Sequence, residues 1–178
     1  MTDQLSAKDW LDQGLKVLAH RGFTALKAEP LAKLMGVSRG SFYWHFADIG
    51  AFHAAILKHW REVSAEQIIA ALEASATEDN PLRLLLNRAF GTRPALEKAV
   101  RSWATVDPRA RDAVLAIDRR RLGYLEQMLR QAGLNAETAA ARAQIVYWSF
   151  LGFSLSDQPL AQARQRAVID QMLLMATR

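Results

Sequence analysis

The chain has 178 residues, 51% of them hydrophobic, and contains no cysteine. This length is enough for a buried core in one domain or two small ones, and the lack of cysteine excludes disulfide bonds and cysteine-ligated metal sites. The formal net charge of +5 permits a nucleic-acid partner without requiring one. No apolar run approaches the ~20 residues of a membrane-spanning helix, and the first residues lack the apolar segment of a signal peptide. We therefore expect a cytoplasmic protein.

The N-terminal residues predict a first helix that ends at a glycine. Ser6 and Asp9 have the spacing of a capping box, in which each side chain accepts a hydrogen bond from the other residue's backbone. Leu11 and Leu15 follow on one helix face. Gly22 is suited to ending the helix, because glycine readily adopts the left-handed backbone conformation found there.

Two short helices joined by a tight turn are predicted next, the first of them beginning near Lys27. Leu31 and Leu34 lie three apart, on one face of that helix. Gly36 breaks the pattern and suits a left-handed turn. Ser38 is a favourable N-cap for the following helix. This succession predicts a helix-turn-helix.

The second of these short helices combines a packing face with a polar, aromatic one. Phe42 and Phe46 lie four apart and are predicted to pack inward, while no carboxylate occurs from Ser38 to Phe46. Arg39 stands at the start of the helix, the end that meets base edges in this geometry, and its fork matches guanine O6 and N7. No core role can be assigned to the Trp44 indole, so we predict that it stacks on a sugar or a thymine methyl group. This face suits a polyanion.

The rest of the chain also predicts helices. Asp48 can cap a longer fourth helix, and the clearest break in the chain falls at residues 75–80. No alternating strand pattern is present, so we predict an all-α fold with two helical domains, residues 1–50 and 51–178. The late helices are predicted over residues 108–131, 136–155 and 160–175.

The helix-turn-helix resembles the DNA-binding signature of the tetracycline-repressor (TetR) family, through the run Gly-Val-Ser-x-Gly-Ser-Phe-Tyr-x-His-Phe at residues 36–46. The resemblance extends over about residues 8–60. It implies a homodimeric transcriptional regulator, most often a repressor, that binds double-stranded operator DNA and a small-molecule effector through a C-terminal ligand-binding and dimerisation domain. Several side chains align with family positions that touch bases or phosphates. The candidate DNA contacts are Lys27, Ser38, Arg39, Gly40, Ser41, Tyr43, Trp44 and His45.

The chain departs from the family pattern at three positions. Lys27 stands where the family often has a serine or threonine, although lysine can still neutralise a phosphate at a helix start. Ile49 occupies the place of a phosphate-binding lysine, and Gly50 replaces an acidic residue. One expected phosphate anchor is therefore missing.

The C-terminal segment contains candidates for an effector pocket. By resemblance to the family, apolar side chains here would line a cavity, although for any single residue the sequence favours an ordinary helical core. Arg88 and Arg101 are possible polar anchors, and Arg101 could instead pair with Glu97 on its own helix. We expect a mainly hydrophobic effector and no metal or cofactor. The candidate pocket residues are Trp60, Leu85, Arg88, Phe90, Val100, Arg101 and Trp103.

The segment from Tyr147 to Phe153 is almost continuously apolar, which predicts a helix buried on all sides and, in a small domain, a partner. The resemblance implies that two late helices pair with their symmetry mates in a four-helix bundle. For the basic run at residues 119–121, an ion-paired or solvated helix face is favoured over a second DNA site. The candidate dimer residues are Leu122, Leu125, Leu129, Tyr147, Trp148 and Leu151.

The alternative is a helical enzyme or small-molecule carrier with an incidental helix-turn-helix. His53 and His59 lie six apart rather than at the four-residue spacing of a zinc-protease helix. No glycine-rich phosphate loop, serine nucleophile motif or cysteine nucleophile is present. We therefore expect no enzymatic activity.

Overall fold

A computed structural model describes residues 5–74, 80–91, 95–157 and 160–177. The predicted all-α fold is confirmed for these residues. The predicted break at 75–80 falls, except for Asn80, outside them. The last helix begins and ends two residues later than predicted. The helices are α1 Ala7–Arg21, α2 Ala28–Leu34, α3 Arg39–His45, α4 Ile49–Arg61, α5 Gln67–Ala74, α6 Pro81–Gly91, α7 Ala95–Trp103, α8 Pro108–Gln131, α9 Ala136–Leu155 and α10 Gln162–Thr177, with a 3-10 turn at Phe23–Ala25 and a π-helical turn at Glu62–Glu66.

The chain forms two compact units that are not contiguous in sequence. The N-terminal unit comprises Met1–Val63 and Ala95–Leu115, and the C-terminal unit comprises Ser64–Pro94 and Ala116–Arg178. Helix α7 thus packs with the N-terminal helices, mainly against α1. The predicted division of the sequence into two domains, residues 1–50 and 51–178, stays a prediction.

The predicted signals at the ends of α1 are confirmed. Ser6 N donates to Asp9 Oδ2 over 2.8 Å, and Asp9 N donates to Ser6 Oγ over 3.3 Å. Gly22 ends the helix with a φ of 75°, and its N–H group donates to the Leu18 carbonyl. A positive φ is strained for any residue with a Cβ, which explains glycine at this position.

Helices α1 and α4 pack closely at a glycine that sequence reasoning did not single out. A methyl group on Gly14 would lie 2.4 Å from Ile56 Cδ1 and 2.9 Å from Phe52 Cζ. The missing side chain therefore allows the two helices to approach. Beside this contact, Asp12 Oδ1 lies 2.7 Å from His59 Nε2, and hydrogen bonds from Lys8 and His59 lower the pKa of Asp12 below its ordinary value.

An aromatic cluster holds α3 against α1 and α4. The ring of Phe42 contacts Trp10 edge-on at 5.4 Å and Phe52 at 5.2 Å, and Phe46 contacts Phe52 at 4.9 Å. All four rings are buried. Since a seven-residue helix is not stable alone, these contacts position α3.

The C-terminal unit has its own core, formed by α6, α8, α9 and α10. Tyr147 donates to Asp118 Oδ1 over 2.6 Å within this unit, and the Gln165 amide donates to the Phe90 carbonyl. No helix among the described residues is long and apolar enough to cross a membrane. The buried core residues include Leu82, Leu86, Phe90, Leu125, Leu129, Ala143, Ile169 and Leu173.

Two members of the basic run on α8 are paired within the C-terminal unit. Arg120 forms an ion pair with Glu66 at 3.3 Å. Arg121 donates to the Ser64 carbonyl over 3.2 Å, and its guanidinium lies 5.3 Å from the ring of Phe150. Both arginines thus bind residues of the π-helical turn Glu62–Glu66. The prediction of an ion-paired face is confirmed for Arg120, whereas Arg121 binds a backbone carbonyl that is distant in sequence.

Candidate DNA-binding surface

The turn between α2 and α3 has the geometry that its sequence predicts. Gly36 has a φ of 70°, and the Val37 N–H group donates to the Ala32 carbonyl over 3.1 Å. Ser38 is the N-cap of α3 in an extended conformation, but its hydroxyl makes no capping hydrogen bond. The Ser38 side chain therefore retains its hydrogen-bonding capacity for another partner.

Helix α3 has one buried and one exposed face. Phe42 is fully buried and Phe46 nearly so, whereas Trp44 is 84% exposed and Tyr43 44% exposed. An indole exposed to this extent contributes little to the core and is open to an external partner. Of the other candidate DNA contacts, Lys27, Ser38, Arg39 and Gly40 are exposed, and Ser41 and His45 are half-buried.

Arg39 and Tyr43 are joined across one turn of α3. Arg39 Nη2 donates to the Tyr43 hydroxyl over 2.9 Å, and this bond raises the pKa of Arg39 above its ordinary value. The bond orders a long side chain before any partner arrives. Because guanidinium has five N–H donors, others remain for a base edge.

Glu29 is an acidic neighbour of Arg39 that the sequence did not predict, because it lies on the preceding helix. Glu29 acts electrostatically on Arg39. Both residues, with Lys33 and Val37, line a surface groove of about 420 Å³. A carboxylate in this groove offsets part of the positive charge of the neighbouring basic side chains.

The free protein gives no steric reason for glycine at position 40. Among the described residues, a methyl group on Gly40 would meet only Ser38 Oγ, at an ordinary contact distance of 3.6 Å. The backbone there is helical. Glycine therefore leaves room for something outside the protein, as close approach to a duplex would require.

The first turn of α4 begins four residues after the last residue of α3. Asp48 caps it by accepting a hydrogen bond from Ala51 N over 2.7 Å. Ile49 is 37% exposed. A methyl group on Gly50 would lie 3.7 Å from Nη1 of Arg109, in the first turn of α8.

The candidate pocket residues are divided between the two units. In the N-terminal unit Trp60, Val100 and Trp103 are buried, and Trp103 stacks on Phe23 at 4.4 Å. In the C-terminal unit Phe90 is buried against Phe153, at 5.0 Å between ring centroids, while Leu85 and Arg88 are half-buried. Their common role in binding an effector stays a prediction.

Arg101 forms the ion pair with Glu97 that the sequence offered as its alternative role. Its Nε donates to Glu97 Oε1 over 2.8 Å, and both side chains are largely buried. Trp103 also borders a cleft of about 440 Å³ within the N-terminal unit, between the end of α1 and α7; His20, Lys98 and Val106 also line it.

The candidate dimer residues differ in exposure. Leu125, Leu129 and Tyr147 are buried in the C-terminal unit's own core, Leu122 and Leu151 are half-buried, and Trp148 is 63% exposed. Trp148 belongs to an exposed stripe with alternating spacings of four and three residues, which sequence reasoning missed because the whole segment is apolar. The stripe consists of Ala141, Ile145, Trp148, Gly152 and Leu155.

Comparisons with known proteins agree with this geometry. Residues 11–56 match the family described as bacterial regulatory proteins, tetR family, and no curated protein matches the sequence. The fold is similar to that of a Rhodococcus sp. protein assigned to the TetR-family transcriptional regulators, with 17% identity, coverage of 97% of this chain and 98% of that one, and a TM-score of 0.72.

Two further solved structures share the fold. BioQ, solved with its natural double-stranded DNA operator, is 22% identical, with 98% of this chain and 99% of that one covered and a TM-score of 0.52. The multidrug binding protein EbrR, complexed with imidazole, is 21% identical, with 96% of each chain covered and a TM-score of 0.60. At these identities the likeness establishes the fold.

Proposed function

We propose that this protein is a homodimeric transcriptional repressor of the TetR family that acts in the cytoplasm and is released from its operator by a small, mainly hydrophobic molecule. One observation carries the DNA-binding part of the proposal. Helix α3 buries Phe42 and Phe46 while presenting Arg39, Tyr43 and Trp44 to solvent. A recognition helix in the major groove requires this division, with an anchored inner face and an outer face of donors and rings.

The contacts divide into base readers and phosphate anchors. Arg39 is the base reader, because its fork stands at the N-terminal end of α3 and is ordered by Tyr43. Lys27 is an anchor, because it is exposed at the N-cap of α2 and carries a charge without a fixed geometry. Ser38 and His45 offer further donors to phosphate.

Selection of genomic fragments by the purified protein tests DNA binding directly. We expect the retained fragments to share a palindromic site, and we expect affinity for that site to fall with increasing salt. Retention of no fragment, or salt-independent retention, would reject the regulator and favour the carrier of small molecules.

Substitution of the reader and of the anchor should have different effects. Arg39→Ala is expected to cost ~1–3 kcal/mol on the selected site and to relax base preference at one position. Lys27→Ala is expected to weaken all sequences alike and to make the salt slope less negative by about one unit for each phosphate that is no longer neutralised. Binding of both variants to a randomised site library measures the difference. Uniform losses for both would contradict the assignment of Arg39 as a reader.

The dimer proposal rests on the exposed stripe of α9. Side chains that alternate at four- and three-residue spacings form one seam along a helix. Ile145, Trp148 and Leu155 are each about half exposed or more, and such a seam is stable when a second copy covers it. In a two-fold dimer the seam meets its own symmetry mate. The recognition helices would then stand about 34–36 Å apart, or somewhat more, as one turn of DNA requires.

The effector proposal rests on the chemistry of the candidate pocket. Trp60, Phe90, Val100 and Trp103 are apolar or aromatic and offer neither metal ligands nor a phosphate cradle. EbrR, of the same fold, holds imidazole in its structure. A hydrophobic molecule with at most one acidic or polar group matches the chemistry of these side chains, and Arg88 is a candidate polar anchor.

The effector should lower operator affinity with a coupling free energy of ~1–3 kcal/mol and should change indole fluorescence. Compounds are therefore screened for release of the selected DNA fragment. The emission change is then compared between Trp103→Phe and Trp60→Phe, because Trp10, Trp44 and Trp148 also emit. A releasing compound that changes emission identically in both variants places the pocket elsewhere, and release by metal ions alone contradicts the chemical argument.

A further inference from the structure

We propose that Arg109, from the first turn of α8, binds a DNA phosphate beside the recognition helix. This inference rests on the proposed DNA-binding function and adds a contact from outside the helix-turn-helix. The sequence has no lysine or arginine between Arg39 and Lys58. The segment that contains most of α3 and the start of α4 thus has no permanent cation of its own.

The DNA backbone is expected to pass close to the first turn of α4. Helix α3 has seven residues, so it is about 10 Å long, and the major groove is about 12 Å wide. A helix of this length lying across the groove brings its ends near the phosphates on both sides. Ile49, at the start of α4, follows the last residue of α3 by four positions. The first turn of α4 therefore lies where a cation could bind a phosphate, yet its first two residues, Ile49 and Gly50, carry no charge.

Arg109 supplies the cation that this turn lacks. Its Nη1 atom would lie 3.7 Å from a methyl group on Gly50, and Oδ1 of Asp48 would lie 3.1 Å from the same methyl group. The guanidinium group therefore lies within the N-terminal unit beside the first turn of α4. There it also offsets the charge of Asp48, which would otherwise repel a phosphate.

The Arg109 side chain is available for this contact. It is 58% exposed, and its Nη2 atom lies 3.5 Å from Asp107 Oδ2, a long ion pair. The other oxygen, Asp107 Oδ1, accepts the backbone N–H groups of Arg109 and Ala110 over 2.8 and 3.4 Å and so caps α8. The helix start consequently depends on the Arg109 backbone, while the guanidinium fork can turn to the two oxygens of a phosphate.

The test measures salt-dependent binding of the full-length protein to the DNA fragment selected by the wild type. Arg109→Ala is expected to weaken binding about tenfold for each protomer. The slope of log K against log salt should become less negative by about 0.9 for each phosphate that the variant no longer neutralises. Arg109→Lys should keep the wild-type slope. Arg111→Ala is the matched control, because Arg111 is exposed on the same helix but points away from Arg109, and its slope should be unchanged.

A second variant keeps the proposal falsifiable if Arg109→Ala folds poorly. Arg109→Gln preserves side-chain size and removes the charge, so it should show the same slope change. Adding Ile49→Lys to Arg109→Ala should restore the slope, because it returns a cation to the same turn. A wild-type slope in both Arg109→Ala and Arg109→Gln, or a loss confined to one base position, overturns the phosphate contact. Absence of DNA binding by the wild type is a different result, which rejects the proposed function itself.

Discussion

Replacing Phe42 with alanine is expected to lower the free energy of unfolding by about 3–5 kcal/mol and to abolish specific DNA binding. Phe42 is fully buried and contacts the rings of Trp10, Phe46 and Phe52. Its removal leaves a cavity in the centre of this cluster. Helix α3 is too short to persist without tertiary contacts, so the recognition surface should disorder even where α1 and α4 remain folded. Chemical denaturation and amide hydrogen exchange measure the two effects.

Trp44→Ala is the matched control for Phe42→Ala. Both are large aromatic residues of the same helix, but Trp44 is 84% exposed, and its truncation should change stability by no more than about 0.5 kcal/mol. Its DNA affinity should still fall if the indole stacks on the duplex. Equal destabilisation by the two substitutions would contradict the inside-outside division of α3 on which the proposed function rests.

Trp148→Glu should convert the proposed dimer into a monomer at micromolar concentration. A buried tryptophan at an interface is worth about 2 kcal/mol or more. Since a two-fold interface contains the residue twice, the dissociation constant should rise about a thousandfold. Operator affinity should fall with it, because two half-sites bound by one dimer reinforce each other. Analytical ultracentrifugation measures the first effect and titration of the selected DNA fragment the second.

Leu115→Glu controls for the addition of a charge to an exposed apolar position. Leu115 is 48% exposed, on α8 in the N-terminal unit, so this variant should remain dimeric. If Trp148→Glu also remains dimeric and binds DNA normally, the α9 stripe is not the dimer face. A wild-type protein that is monomeric at micromolar concentration rejects the dimer proposal altogether.

The sequence by itself predicts what depends on short-range chemistry. The capping box of Ser6 and Asp9, the left-handed turn at Gly36 and the inward side of Phe42 each depend on neighbours within four residues. For that reason they could be read from spacing and residue type, and the structure confirms all three. The same local patterns predict the bounds of α8 and α9. The resemblance to a DNA-binding family follows from them as well, because the signature at residues 36–46 is a contiguous run.

Tertiary structure decides which residues meet across helices that are distant in sequence. The sequence has nine glycines, and nothing in it distinguishes Gly14 from the others. Its role is visible only because α4 packs Ile56 against it. In the apolar segment of α9, periodicity could not separate Tyr147, which packs inside its unit, from Trp148, which faces outward. Arg109 is more than fifty residues from Gly50, and only the packing of α8 beside α4 brings its charge to that turn. Such contacts join residues that are far apart in sequence. Local propensity carries no information about these pairs, because helix packing in the folded chain brings them together.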